Sequence, residues 1–163
     1  MDLQSATAVG ADAPGNHDMQ INTTRFGKVE LFESDVVEFP SGLIGMEDCQ
    51  RWVLLADAEN PALGWLQSID RADLAVAVVS PRRFVADYRA RVSRRDLHGL
   101  RIESAKDAQV LAVVGKDDFG LTVNLKAPLV LHLQSRQARQ IVVLDDYSMR
   151  YPLAATVPLR RSA

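Results

Sequence analysis

The chain has 163 residues, a net charge of −2 and 47% hydrophobic content, which suits one domain able to bury its own core. Its single cysteine, Cys49, excludes an internal disulfide, no Cys/His cluster has metal-ligand spacing, and no apolar run approaches the roughly 18 residues of a membrane span. Residues 1–5 lack the charged and apolar regions of a secretory signal, so a reducing, cytoplasmic location without membrane contact is expected.

Residues 1–19 are small and polar, with Pro14-Gly15 and no apolar period, and are expected to form a disordered tail. The folded domain is expected over 20–155, followed by a short tail over 156–163. Two β-rich runs, 21–26 and 28–32, hinge near Gly27, and a third covers 36–39. Residues 40–47 carry one proline and two glycines, the signature of a turn-rich loop. Its apolar residues Leu43, Ile44 and Met46 must either fold under or meet a partner. Further strands are predicted over 52–55, 64–69 and 74–79. The last reads Leu-Ala-Val-Ala-Val-Val, without polar alternation, as a central strand covered on both faces does, and Pro81 stops it.

Ser93-Arg94-Arg95-Asp96 has the form of a capping box and predicts one short helix ending near Gly99 or Leu100. Strands over 110–114, 121–125, 129–133 and 140–144 complete the set, with a hairpin turn over 116–120. Lys126-Ala127-Pro128 separates two of them. Proline has no N–H to donate and forces extended backbone on the residue before it, so the pattern predicts a strand, a kink or bulge, and a second strand. Short, regularly spaced strands with one helix predict a mainly β chain, a small antiparallel β-barrel-like or sandwich fold.

Charge is unevenly distributed. Residues 29–60 carry eight acids against one base, a net of −7, while residues 82–101 carry seven arginines against two aspartates, a net of +5. The arginine run reads either as a solvated helix face or as an RNA-binding stretch, with only Phe84 and Tyr88 nearby for base stacking. An acidic face would attract a basic protein and repel phosphate; Glu33, Asp35 and Glu38 are its candidate contacts. Gln67, Ser68 and Asn124 interrupt apolar strands. They point outward by alternation, satisfy backbone groups at a bulge, or meet a partner. The histidines, His17, His98 and His132, have no nucleophile motif around them, and Gly42-Leu43-Ile44-Gly45 lacks the lysine and third glycine of nucleotide-binding loops. The chain is therefore read as a non-enzyme, with no catalytic, cofactor or metal residue assigned.

Residues 122–131, Thr-Val-Asn-Leu-Lys-Ala-Pro-Leu-Val-Leu, with Arg136, Arg139, Gln140 and 141–144 behind them, resemble the C-terminal signature of the FliW family of flagellar assembly factors. Thr24 to Glu30, Phe39 to Asp48 and Trp65 to Asp70 resemble the same family, in its order, with Pro81-Arg82-Arg83-Phe84 as a looser element. Relatives often carry Pro and Phe at the positions of Ile44 and Met46, and Asn at that of His132. The resemblance implies a FliW-like β domain, without cofactor, that binds flagellin before export. When flagellin is scarce, it implies binding to CsrA, an RNA-binding translational regulator, and relief of its repression of flagellin synthesis. Ile44 and Met46 would then be apolar contacts, Gln67, Ser68 and Asn124 polar ones, and Glu33, Asp35 and Glu38 charged neighbours. A monomer without direct nucleic-acid binding is expected. The alternatives are a basic-stretch RNA-binding module and a flagellin export chaperone with no CsrA contact.

Overall fold

Trp52, Val53, Leu54 and Leu55 are all buried in one strand, β4 (Arg51–Ala56), although successive strand residues face opposite ways. Trp52 and Leu54 enter a core with Phe39, Leu43, Leu66, Val78, Leu111 and Leu129, whereas Val53 and Leu55 meet Val29, Leu31 and Val36. β4 thus separates two apolar layers, so its sequence lacks polar alternation. The outer layer comes from a hairpin of β1 (Met19–Thr23) and β2 (Gly27–Leu31), turned at Gly27 with φ +67°. A computed structural model describes residues 19–153, so the expected tails lie outside the described residues except for Met19.

β3 (Val36–Glu38), β4, β5 (Leu63–Ser68), β6 (Ala75–Val79), β7 (Ala108–Asp117), β9 (Leu129–His132) and β10 (Ala138–Gln140) lie side by side, each pair antiparallel. β8 (Gly120–Val123) pairs with β7 and with β11 (Tyr151–Pro152). The two ends of the path meet at one parallel bridge, Glu38 opposite Gln137, where the Glu38 N–H donates to Arg136 O at 2.9 Å. The sheet therefore curls around the Trp52 core into a barrel-like body without closing a full ladder. The mainly β, antiparallel reading of the sequence holds, and so does its helix. α1 (Arg94–Leu100) is capped by Ser93 Oγ, which accepts from the Asp96 N–H at 3.2 Å and donates to Asp96 Oδ2 at 2.7 Å.

β8 and β9 occupy the same edge of β7 in tandem. Val114 opposes Val123 while Leu111 opposes Leu129, so three steps along β7 correspond to six along its neighbour. The surplus is the expected kink at Pro128, a bulge held by its own polar groups. Asn124 Oδ1 accepts from the Lys126 N–H at 3.1 Å and the Ala127 N–H at 3.0 Å, and the Asn124 N–H donates to Val113 O at 2.9 Å. The buried Tyr88 hydroxyl donates to Leu125 O at 2.8 Å.

Two expectations need correction. The run 74–79 is central, but only Val78 and Val79 are buried; the remainder is half-buried. The strand expected over 140–144 ends at Gln140. Beyond it the chain still alternates, with Ile141 and Val143 buried and Val142 and Leu144 exposed. The Ile141 and Val143 N–H groups donate to Pro128 O and Lys126 O, each at 3.0 Å. The period-two pattern is real, but its partner is the bulge, whose carbonyls do not run on as a ladder.

Replacing Asn124 with alanine strands two bulge N–H groups, and about 1–3 kcal/mol of stability should be lost in urea denaturation. An unchanged midpoint would show that water serves them equally well. Burial pushes the Tyr88 phenol up to about 12 from 10.0, with Tyr147 and Asp145 adding to it. The folded chain keeps this proton where the unfolded chain has lost it, so the Tyr88 contribution is complete below pH 10.0 and disappears as pH rises towards about 12. Urea midpoints across that interval should fall in the native chain, and more shallowly in Tyr88→Phe.

Candidate functional site

The acids preceding β3 divide by burial. Glu33, Ser34 and Asp35 form a 3-10 turn in which Asp35, 4% exposed, accepts the Phe32 N–H at 2.8 Å on Oδ2. Asp35 is a turn cap and not an outward charge. Glu33 and Glu38 are exposed. Glu33 Oε1 lies 3.0 Å from Arg51 Nη2, and Glu38 Oε2 accepts from Gln137 Nε2 at 3.0 Å. Together with residues 133–137 they line a groove of about 470 Å³ along the seam where the sheet ends meet. Arg136 sits at its base in left-handed backbone, φ 61°, with Nη2 donating to Asp35 O at 3.2 Å. Burial pushes its guanidinium below the ordinary arginine range, while Asp35 pulls the other way.

The loop over 40–48 resolves its three apolar side chains differently. Leu43 folds under at 1% exposure, Met46 is half-buried, and Ile44 remains 62% exposed. Gly42 has φ +67°, and a Cβ there would fall 2.5 Å from Glu47 Cα, so the tight turn needs glycine. Gln140 ties this loop to the bulge. Its Oε1 accepts the Ile44 N–H at 2.8 Å, and its Nε2 donates to Ala127 O at 3.0 Å. Exposed Val142 follows two residues later, so Ile44 and Val142 flank Gln140 as an apolar patch. Gln137 and Gln140 bracket three steps of extended chain, which puts this patch roughly 10 Å from the acidic groove. Glu47 and Asp48 add exposed charge, and the Gly45 N–H holds the Glu47 carboxyl below its usual range.

Gln67 and Ser68 are 0% and 1% exposed. Gln67 Nε2 donates to Ser68 O at 2.9 Å and reaches Arg71 O and Ala72 O, while Ser68 Oγ accepts the Arg71 N–H at 3.0 Å. Both side chains build the turn between β5 and β6, the backbone-satisfying alternative read from the sequence. Gln67 Oε1 is left without a partner in this turn. Asn124, half-buried, is spent on the bulge. The structure therefore brings together Glu33, Glu38, Ile44 and Met46, and places Asp35, Gln67, Ser68 and Asn124 beneath the surface as supports. Sequence reasoning missed Gln140 and Val142. Alternation through 140–144 marked Val142 as outward, but only the register of the bulge shows what it lies beside.

Among the described residues no group of three or more His, Cys, Asp and Glu could hold a metal, and no helix is long and apolar enough to cross a membrane. The FliW protein family matches residues 20–153. A flagellar assembly factor FliW from Bdellovibrio bacteriovorus is 36% identical over 138 residues, 83% of this chain and 79% of the relative. One from Natranaerobius thermophilus is 34% identical over 139 residues, 83% of this chain and 92% of the relative. A crystal structure of the flagellar assembly factor FliW superposes with a TM-score of 0.73 at 25% identity, covering 82% of this chain and 95% of the other.

If Gln140 holds the loop, Gln140→Ala should raise proteolytic cleavage within 42–48 several-fold with little change in the global unfolding midpoint. Cleavage at the native rate would show that Gly42 and Leu43 fix the loop alone.

Proposed function

The chain belongs to the FliW family of flagellar assembly factors, and we propose that it acts in the cytoplasm as a non-enzymatic, monomeric binder of two protein partners in turn. It captures flagellin ahead of export. When flagellin is scarce, it binds CsrA and relieves repression of flagellin translation. Partner identities come from family membership. The observation that carries the reading is the exposed Ile44–Val142 patch beside a groove rimmed by Glu33 and Glu38, mounted on a sheet that buries its other apolar side chains on both faces.

Exposed aliphatic side chains held by a backbone clamp suit protein contact, since their burial against a partner is favourable and little ordering remains to be done. The acids give the second half of the reading. CsrA recognises RNA through basic surface, and a neighbour that presents Glu33, Glu38, Glu47 and Asp48 there opposes phosphate by like-charge repulsion even without covering the site. Asp35 has no part in this, because its carboxylate is occupied within the 3-10 turn.

Glu33→Gln combined with Glu38→Gln should weaken the displacement of RNA from CsrA by about tenfold, the size of two exposed charge interactions of up to about 1 kcal/mol each. Undiminished displacement would rule out electrostatic exclusion. Ile44→Asp should lower co-purification with flagellin while leaving the unfolding midpoint in place. Capture of flagellin with no CsrA retained by the native chain would reduce the function to that of an export chaperone.

A further inference from the structure

We propose a second docking site, for an acidic polypeptide segment bearing aliphatic side chains, in the groove between the 80–107 excursion and β7. The groove encloses about 570 Å³ and shares no lining residue with the acidic seam. Its floor is aliphatic, from Ala90, Val92, Leu97, Ile102, Val110 and Val130. Local geometry sorts the two residue types. From Tyr88 to Val92 the chain alternates, with Tyr88, Ala90 and Val92 turned inward and Arg89 and Arg91 exposed. Leu97 and Ile102 likewise line the groove beside exposed Arg95 and Arg101.

The rim is positive and uncommitted. Arg91 pairs with Asp145 at 3.0 Å, but Arg83, Arg89, Arg94, Arg95 and Arg101 are exposed and form no ion pair with any described residue. On the wall, Arg82 and Glu103 oppose one another, so the excess charge comes from the rim. An acidic partner chain is therefore drawn in by the arginines, and its aliphatic side chains find the floor. RNA shares the charge but not the floor. Tyr88, 2% exposed, has its hydroxyl tied to Leu125 O, and no aromatic face is offered for a base to stack on. This site does not rest on the flagellar reading, and its binding should survive Glu33→Gln with Glu38→Gln.

The test is fluorescence anisotropy of the full chain with a labelled synthetic peptide alternating Leu or Ile with Asp or Glu. The controls are the same peptide with Lys for each acid and an RNA oligonucleotide of equal charge. The acidic peptide should bind and the Lys peptide should not. Arg89→Glu with Arg95→Glu should weaken binding roughly tenfold. Ala90→Trp, which fills the floor, should abolish it, and Glu103→Gln should strengthen it. Circular dichroism and urea midpoints identify any variant that has lost its fold, and Glu103→Gln gives a gain that misfolding cannot mimic. No binding of the acidic peptide, indifference to the Arg89/Arg95 reversal, tighter binding of the RNA, or self-association through this groove would each overturn the proposal.

Discussion

The structure depends on one break in a strand. Without the surplus residues around Pro128, β8 and β9 would run as a single ladder against β7, and the chain after β10 would have no carbonyls to dock against. Proline cannot donate, so the break is fixed by covalent chemistry, and Asn124 supplies the acceptor that the disrupted ladder lacks. The exposed bulge carbonyls then organise what surrounds them. Lys126 O and Pro128 O receive the chain at Val143 and Ile141, Leu125 O receives Tyr88, and Ala127 O receives Gln140. Through Gln140 the break in one strand sets the position of Ile44 in a loop 96 residues away in sequence.

Function follows from what is left over once these internal demands are met. The polar residues that interrupt apolar strands are occupied within the fold, which leaves contact with partners to the side chains that nothing internal claims: Ile44, Val142, Glu33 with its exposed arginine partner, and Glu38. Burying Asp35 and leaving Glu38 outside is a division of labour between a turn cap and a surface charge. On the other side of the charge distribution, an aliphatic groove with an arginine rim offers a second surface of opposite sign. A chain of modest net charge can thus present two electrostatically distinct faces, because its acids and arginines are segregated along the sequence and the sheet keeps them apart.

Much of this was legible in the sequence where a local rule decides the outcome. Ser93 and Asp96 announced the helix, Pro128 announced the bulge, and the strand spacing announced the antiparallel sheet. The failures share a cause. The β character of 140–144 was visible, but its partner was not, because period two reports a strand-like backbone without saying what it pairs with. Gln67 and Ser68 looked like surface polar residues because alternation carries no information about a turn several residues further on. Trp52 to Leu55 and Leu74 to Val79 read alike as apolar runs. Only the first is fully covered, because the β1–β2 hairpin lies over it, and that is a tertiary fact.

Hydrogen exchange of individual amides in Asn124→Ala tests most directly whether the bulge positions the binding loop. The amides of Ile44, Ile141 and Val143 should all exchange faster than in the native chain, while those of β4 remain as slow as before. Acceleration confined to Lys126 and Ala127 would contradict the account, since the loop and the 141–144 segment would then hold their places without the bulge.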